Sequence, residues 1–136
     1  MIDPRLLRDD PDLIRAAQRR RGASEQVVDD LVAADQNRRS AIATYEQVRA
    51  EQKRLGSLIP KAAGDEKQAL LAQTKELSAQ VKQAEADQGD AARRFDDLLR
   101  QVPNLASPEA PEGGEDDFVV LETVGTPRDF DAEGIT

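Results

Sequence analysis

Two stripes of apolar residues, each recurring at alternating intervals of four and three, constrain this chain more than any other feature. The first is Val27, Leu31, Ala34, Arg38, Ala41, Tyr45, Val48, Gln52, Leu55 and Ile59. The second is Leu70, Thr74, Leu77, Val81, Ala84, Gln88, Ala91, Phe95, Leu98 and Val102. This spacing keeps one face of a helix against a partner helix. If the chain folds back over residues 59–65, the stripes pair in antiparallel layers. Tyr45 meets Ala84, Ala34 meets Phe95, Leu31 meets Leu98 and Ile59 meets Leu70. Large side chains fall opposite small ones, as close packing across a narrow seam requires. The fold class expected is therefore all-α: a long antiparallel two-helix coiled-coil hairpin. Heptads alone leave open a parallel arrangement in which two chains form a longer bundle.

Local signals divide the rest. Asp3-Pro4 and Asp10-Pro11 each combine an N-cap with proline at the first helical position, predicting short helices over 3–9 and 10–21. Leu6, Leu7, Leu13, Ile14 and Ala17 are placed to pack on the base of the hairpin. Arg19, Arg20 and Arg21 suit a helix C-terminus, and Gly22 suits its cap. Ser24 caps a first arm helix over 24–58. Pro60 and Gly64 mark the tip, and Asp65 with Gln68 resembles a capping box for a second arm helix over 66–101. Residues 1–102 form one helical arm domain on this reading. Residues 103–136 read as an extended acidic linker carrying a candidate short strand, Phe118-Val119-Val120-Leu121, and the start of something further.

Composition narrows the function. Aromatic residues are 3% of the chain, and cysteine and histidine are absent. Disulfides and thiolate zinc sites are excluded, as is the commonest general base. Glu115, Asp116 and Asp117 lack the glycine-spaced ligand pattern of a calcium loop. No nucleophile–base pair or phosphate-cradling glycine loop is present, so neither catalytic residues nor metal ligands are assigned. With no membrane-length apolar run and no signal-peptide pattern, a soluble cytoplasmic protein is expected.

The net charge of −8 is unevenly spread. Residues 101–136 hold nine acidic residues and one arginine, whereas 38–82 hold nine Lys/Arg against five Asp/Glu. The outer hairpin is basic and its continuation acidic. Arg39, Arg49, Lys53, Arg54, Lys61, Lys75 and Lys82 are the candidate phosphate contacts. The plainer reading is a solvated charged face beside Glu46, Glu51 and Glu76. Arg38, Gln52, Thr74 and Gln88 read as register or snorkelling positions within the seam.

Several segments then resemble the bacterial seryl-tRNA synthetases. These are Met1-Ile2-Asp3-Pro4-Arg5-Leu6-Leu7-Arg8, Asp12-Leu13-Ile14-Arg15, Arg20-Arg21-Gly22 and the arm stretch Arg49-Ala50-Glu51-Gln52-Lys53-Arg54-Leu55-Gly56. Val102-Pro103-Asn104-Leu105, Pro108-Glu109-Ala110-Pro111, Gly113-Gly114-Glu115-Asp116-Asp117 and Gly125-Thr126-Pro127-Arg128-Asp129-Phe130 continue the series in order. Ala106-Ser107-Pro108 departs from the family, which often has histidine before the proline, and so does Phe118, where asparagine is common.

The resemblance implies an N-terminal tRNA-binding domain whose arm reaches across a homodimer to the partner's tRNA. It would grip the backbone of the long variable arm of serine-accepting tRNA. ATP and Mg2+ would serve a class II catalytic domain outside this sequence, and no cofactor is implied for this chain, which is expected to be inactive alone and, with most of the family's dimer contact in that other domain, able to be a monomer. The physical reading predicts binding by shape, with a salt slope of about −0.7 to −0.9 per phosphate neutralised. Two other classes compete. A structural coiled-coil spacer would not bind RNA. A chaperone-like tentacle would need more apolar surface than Leu58 and Ile59 give the tip.

Overall fold

Each aspartate–proline pair opens a helix. In the computed structural model, which describes residues 2–126, the Asp3 carboxylate accepts from the Arg5 N–H at 2.7 Å and starts α1 (Pro4–Asp9). Asp10 closes α1 by donating its N–H to the Leu6 carbonyl at 2.9 Å. Its side chain then accepts from the Leu13 N–H at 3.1 Å and opens α2 (Pro11–Arg20). One residue thus sets the corner between two short helices. At the end of α2, Gly22 sits at φ +65°. Its N–H bonds to the Arg19 carbonyl, and that of Ala23 to the Gln18 carbonyl, both at 2.9 Å. This pair is a Schellman cap, which needs a left-handed residue at the glycine position.

The hairpin follows as α3 (Gln26–Leu58) and α4 (Gly64–Gln101), packed against each other within the one chain. At about 1.5 Å per residue, α3 is about 50 Å long. The N-cap residue of α3 is Glu25, without a side-chain cap, and the Ser24 hydroxyl just before it accepts from the Gln26 N–H at 3.2 Å. A 3₁₀ turn over Ile59–Lys61 and two extended residues, Ala62 and Ala63, reverse the chain. The Asp65–Gln68 capping box does not form. Helix α4 begins at Gly64 with Ala63 as its uncapped N-cap residue, which leaves Asp65 and Glu66 inside the first turn. Their carboxylates there still favour the positive end of the helix dipole.

Every residue of both predicted stripes is buried or half-buried. The register is checked by the hydrogen bond from the Gln52 side chain to the Ser78 hydroxyl at 3.0 Å. The predicted pairing sets Gln52 opposite Leu77, the neighbour of Ser78. Ser78 in turn donates to the Thr74 carbonyl at 2.8 Å, and the Thr74 hydroxyl to the Leu70 carbonyl at 2.8 Å. Burial is deepest at the base. Ile2, Leu7, Ile14, Val28, Leu31, Ala34, Phe95, Leu99 and Val102 form one core there. The outer arm is held by the seam alone, with Leu55, Val81 and Ala84 buried.

Two further expectations fail. Leu13 is 46% exposed, because Ile14 and Gln18, four residues apart, are the α2 positions that turn inward. Phe118-Val119-Val120-Leu121 is not a strand. No strand occurs among the described residues, and these four side chains are exposed. A strand needs a neighbour for its backbone groups, and none is present among the described residues. Residues 104–113 are instead fastened to α2. Arg20 donates to the carbonyls of Pro108 (3.1 Å) and Ala110, and Arg21 to that of Asn104 (2.7 Å). The Gly113 N–H donates to the Arg20 carbonyl at 3.1 Å. Pro127, Arg128, Asp129 and Phe130 of the last resembling segment, with Asp131 and Glu133, lie outside the described residues.

Candidate nucleic-acid interface

The hairpin has two unlike sides. A groove along the outer arm is lined by Glu51, Arg54, Leu55, Gln73, Glu76, Leu77 and Gln80. In heptad terms these are the c, g and d positions of both helices, so the c and g columns share one side. The b and e columns must then share the other. That second side carries Arg39, Arg49 and Lys53 from α3 and Lys75 and Lys82 from α4. Arg39 and Lys53 occupy one column, as do Lys75 and Lys82. From the level of Arg39 out to the tip, Glu46 and Glu85 are the acidic residues of this side.

The pairing of the candidate cations divides the same way. Arg54, on the groove side, is bound twice by Glu51, at 2.6 and 2.7 Å. That hydrogen bond and the paired charge hold the Glu51 carboxyl below its ordinary range and raise the Arg54 guanidinium. Its charge is largely answered. Arg49, Lys53, Lys75 and Lys82 are exposed, and no ion pair engages any of them among the described residues. A polyanion laid along the arm therefore meets four unanswered cations on one side, and an arginine flanked by Glu51 and Glu76 on the other. Lys61 lies at the tip, exposed, on the 3₁₀ turn. Lys67, in the early turns of α4, is also exposed. The sequence reading passed over it, although its nearness in chain to Lys61 was a usable signal.

Arg39 differs from the others. Its Nε donates to Asp35 at 3.0 Å. Asp35 is 1% exposed and also binds Arg38 at 2.8 Å and pairs with Arg8 at 3.6 Å. Burial pushes the Asp35 carboxyl up, but the Arg38 hydrogen bond and the charges of Arg38, Arg39 and Arg8 override it and leave it below the usual value. Arg38 also covers the Phe95 ring, 4.6 Å from its centroid, a cation–π contact inside the base core. Asp35 thus joins α1 to the arm, a role missed because its heptad column normally faces water. The signal was present in Val28, Val32 and Ile42, which mark a second apolar stripe beside the seam in this part of α3.

The row of exposed cations along one side is suited to binding a polyanion. Among the described residues no cluster of three acidic, sulfur or imidazole groups is placed to hold a metal ion. Likewise no described helix is long and apolar enough to cross a membrane.

Residues 1–106 match the seryl-tRNA synthetase N-terminal domain family. The chain is 63% identical over 134 residues to a serine–tRNA ligase of Nocardioides sp., covering 98% of this chain and 32% of that protein. It is 53% identical to the serine–tRNA ligase of Streptomyces coelicolor, with the same coverage of each. Among solved structures, the cytoplasmic serine–tRNA ligase of Naegleria fowleri in complex with AMP is similar, with a TM-score of 0.72 at 25% identity over 94% of this chain and 29% of that one. The chain spans about a third of the length of these curated relatives. An antiparallel helical hairpin in the predicted register, matched over most of its length, places this chain in the seryl-tRNA synthetase N-terminal domain family.

Proposed function

We propose that this chain is the tRNA-binding arm of a serine–tRNA ligase, and that it holds the backbone of the long variable arm of serine-accepting tRNA. The observation that carries this reading is the sidedness of the charge. Arg49, Lys53, Lys75 and Lys82 project from one side of a rigid hairpin without acidic partners, while Arg54 on the other side is neutralised by Glu51. A row of cations on a rod touches phosphates, and phosphate contacts fix position and orientation without reading bases. Discrimination then comes from shape: only an RNA with a projecting extra arm lies along the whole row. Arg39 and Lys61 extend the row toward the base and the tip. Arg54 is the weakest member, since releasing it from Glu51 offsets part of what a phosphate returns.

The relatives' names support the wider role. The parent protein would join serine to tRNA in the cytoplasm, using ATP and Mg2+ bound by a catalytic domain outside this sequence. As a homodimer it would let the arm of one subunit serve the tRNA charged on the other. This chain's part is to orient the RNA.

The test is binding of this chain to serine-accepting tRNA and to a tRNA with a short variable arm, each at two salt concentrations. Affinity that favours the long-armed tRNA and falls as salt rises is expected, with a log–log slope of about −0.7 to −0.9 per phosphate contacted. Equal, weak binding of both would reduce the arm to a nonspecific polycation. Absence of binding at low salt would favour a structural coiled coil.

A further inference from the structure

Between α1 and α3 lies a cleft of about 340 Å³, lined by Leu7, Arg8, Pro11, Val32, Asp35, Gln36 and Arg39. We propose that this cleft is a phosphate-binding site, in which Arg8 and Arg39 face the ligand and buried Asp35 aims them. The proposal rests on the reading of the arm as a phosphate-binding surface and adds a place at its base that the seam pattern does not reveal.

Charge is the first argument. Three guanidiniums surround one carboxylate, so the cluster of Arg8, Arg38, Arg39 and Asp35 keeps two positive charges. Donor capacity is the second. A guanidinium carries five N–H donors. Arg39 gives Asp35 only its Nε, and its side chain is 56% exposed. Arg8 reaches Asp35 at 3.6 Å, an ion pair without a hydrogen bond. Both side chains therefore keep most of their donors for something in the cleft, where the Gln36 side chain adds a polar group.

Geometry favours a tetrahedral anion. Arg8 comes from α1 and Arg39 from α3, and both converge on the same Asp35 oxygen. Two forks on different elements suit oxygens that point in several directions, as phosphate offers. Leu7, Pro11 and Val32 form an apolar wall, which strengthens charge pairing beside it. The space equals that of about ten waters at ~30 Å³ each, ample for a phosphate group. Arg39 also shares its column with Lys53, so the cleft continues the cationic side of the arm. The phosphate is either that of an RNA backbone or free inorganic phosphate, and the experiment separates these sources.

The unmodified chain is titrated at constant ionic strength with inorganic phosphate and, separately, with serine-accepting tRNA. The side-chain Nε–H resonances of Arg8 and Arg39 are followed by NMR, with Arg49 as the exposed, unpaired comparison. Saturating shifts at Arg8 and Arg39, against a shallow linear drift at Arg49 with inorganic phosphate, are expected. Drift of all three alike, with no response of Arg8 and Arg39 to tRNA, would overturn the site. Shifts with tRNA as well identify an RNA phosphate as the occupant, and shifts with inorganic phosphate alone identify a free-anion site. If tRNA perturbs Arg49 while neither probe perturbs Arg8 or Arg39, the cleft fails and the arm reading stands. If inorganic phosphate saturates the cleft and tRNA perturbs nothing, the arm reading fails and the cleft stands. In the RNA case, R8Q and R39Q each lower the salt slope by about 0.7–0.9 and the double variant by no more, because one phosphate is shared. Additive losses would contradict a shared ligand.

Discussion

Replacing Asp35 with asparagine removes one charge and keeps the shape, which makes it a sharp probe of how the base is held. In the folded chain the carboxylate accepts from Arg38 at 2.8 Å and from Arg39 at 3.0 Å, and it attracts Arg8 at 3.6 Å. Hydrogen bonds to charged groups are worth about 1.5–3 kcal/mol each. Asparagine retains one acceptor oxygen, so part of one bond survives, and relief of carboxylate burial offsets some of the rest. The net loss in D35N is about 2–4 kcal/mol at pH 7, toward the lower end of what breaking a buried ion pair costs. The pH dependence has a definite sign. The Asp35 carboxyl lies below its ordinary value of 3.8 in the folded state. Its contribution is therefore complete above that value and declines as pH falls through the depressed folded value. Urea unfolding of both proteins at pH 7, and again at a series of values below 4, measures this directly. The gap between them should be full at pH 7 and narrow in acid. Equal stability at pH 7 would refute the reasoning, as would a gap that persists undiminished at the lowest pH where both remain folded.

Other substitutions have equally definite signs. Phe95 is 4% exposed in the base core and carries Arg38 over its ring, so F95A should lose about 3–5 kcal/mol in the same unfolding assay. Gly89 lies within α4, and a methyl group there would meet only Arg93 Nη1, at 3.7 Å. G89A should therefore stabilise the chain by about 0.5–1 kcal/mol, read as a rise in the urea midpoint. Gly22 is the opposite case: at φ +65° an alanine would be strained, and G22A should cost about 1–2 kcal/mol.

The hairpin was legible because its information is periodic. Ten layers of alternating four and three steps, with Tyr45 opposite Ala84 and Phe95 opposite Ala34, define both partner and register, and the Gln52–Ser78 bond lands beside the predicted pair. The Asp-Pro corners and Gly22 were legible because each acts through its own backbone. What escaped depended on neighbours distant in sequence. Leu13 faces outward because α2 turns Ile14 and Gln18 toward the base, a choice its own pattern leaves open. The Asp65–Gln68 motif was outweighed by the tip, where α4 begins at Gly64, two residues before the expected start at 66, after the extended residues Ala62 and Ala63. Phe118 to Leu121 have strand composition but no partner edge. Among the candidate cations, spacing grouped Arg54 with Arg49 and Lys53. Only the structure separates them, putting Arg54 in the groove with Glu51 and Glu76. Arg8 and Asp35, nearly thirty positions apart, meet only because α1 folds back over α3.

The central claim is that one side of the arm carries the RNA contacts. The most direct measurement is the salt dependence of serine-accepting tRNA affinity for a variant with glutamine at positions 49, 53, 75 and 82. Each cation engages one phosphate on this account, so the log–log slope should shrink by about 3, at ~0.7–0.9 per contact. The R54Q variant should change it little, because Glu51 already occupies that guanidinium. A slope unchanged by the four substitutions, or one that falls chiefly in R54Q, would place the RNA on the other side of the hairpin or off it.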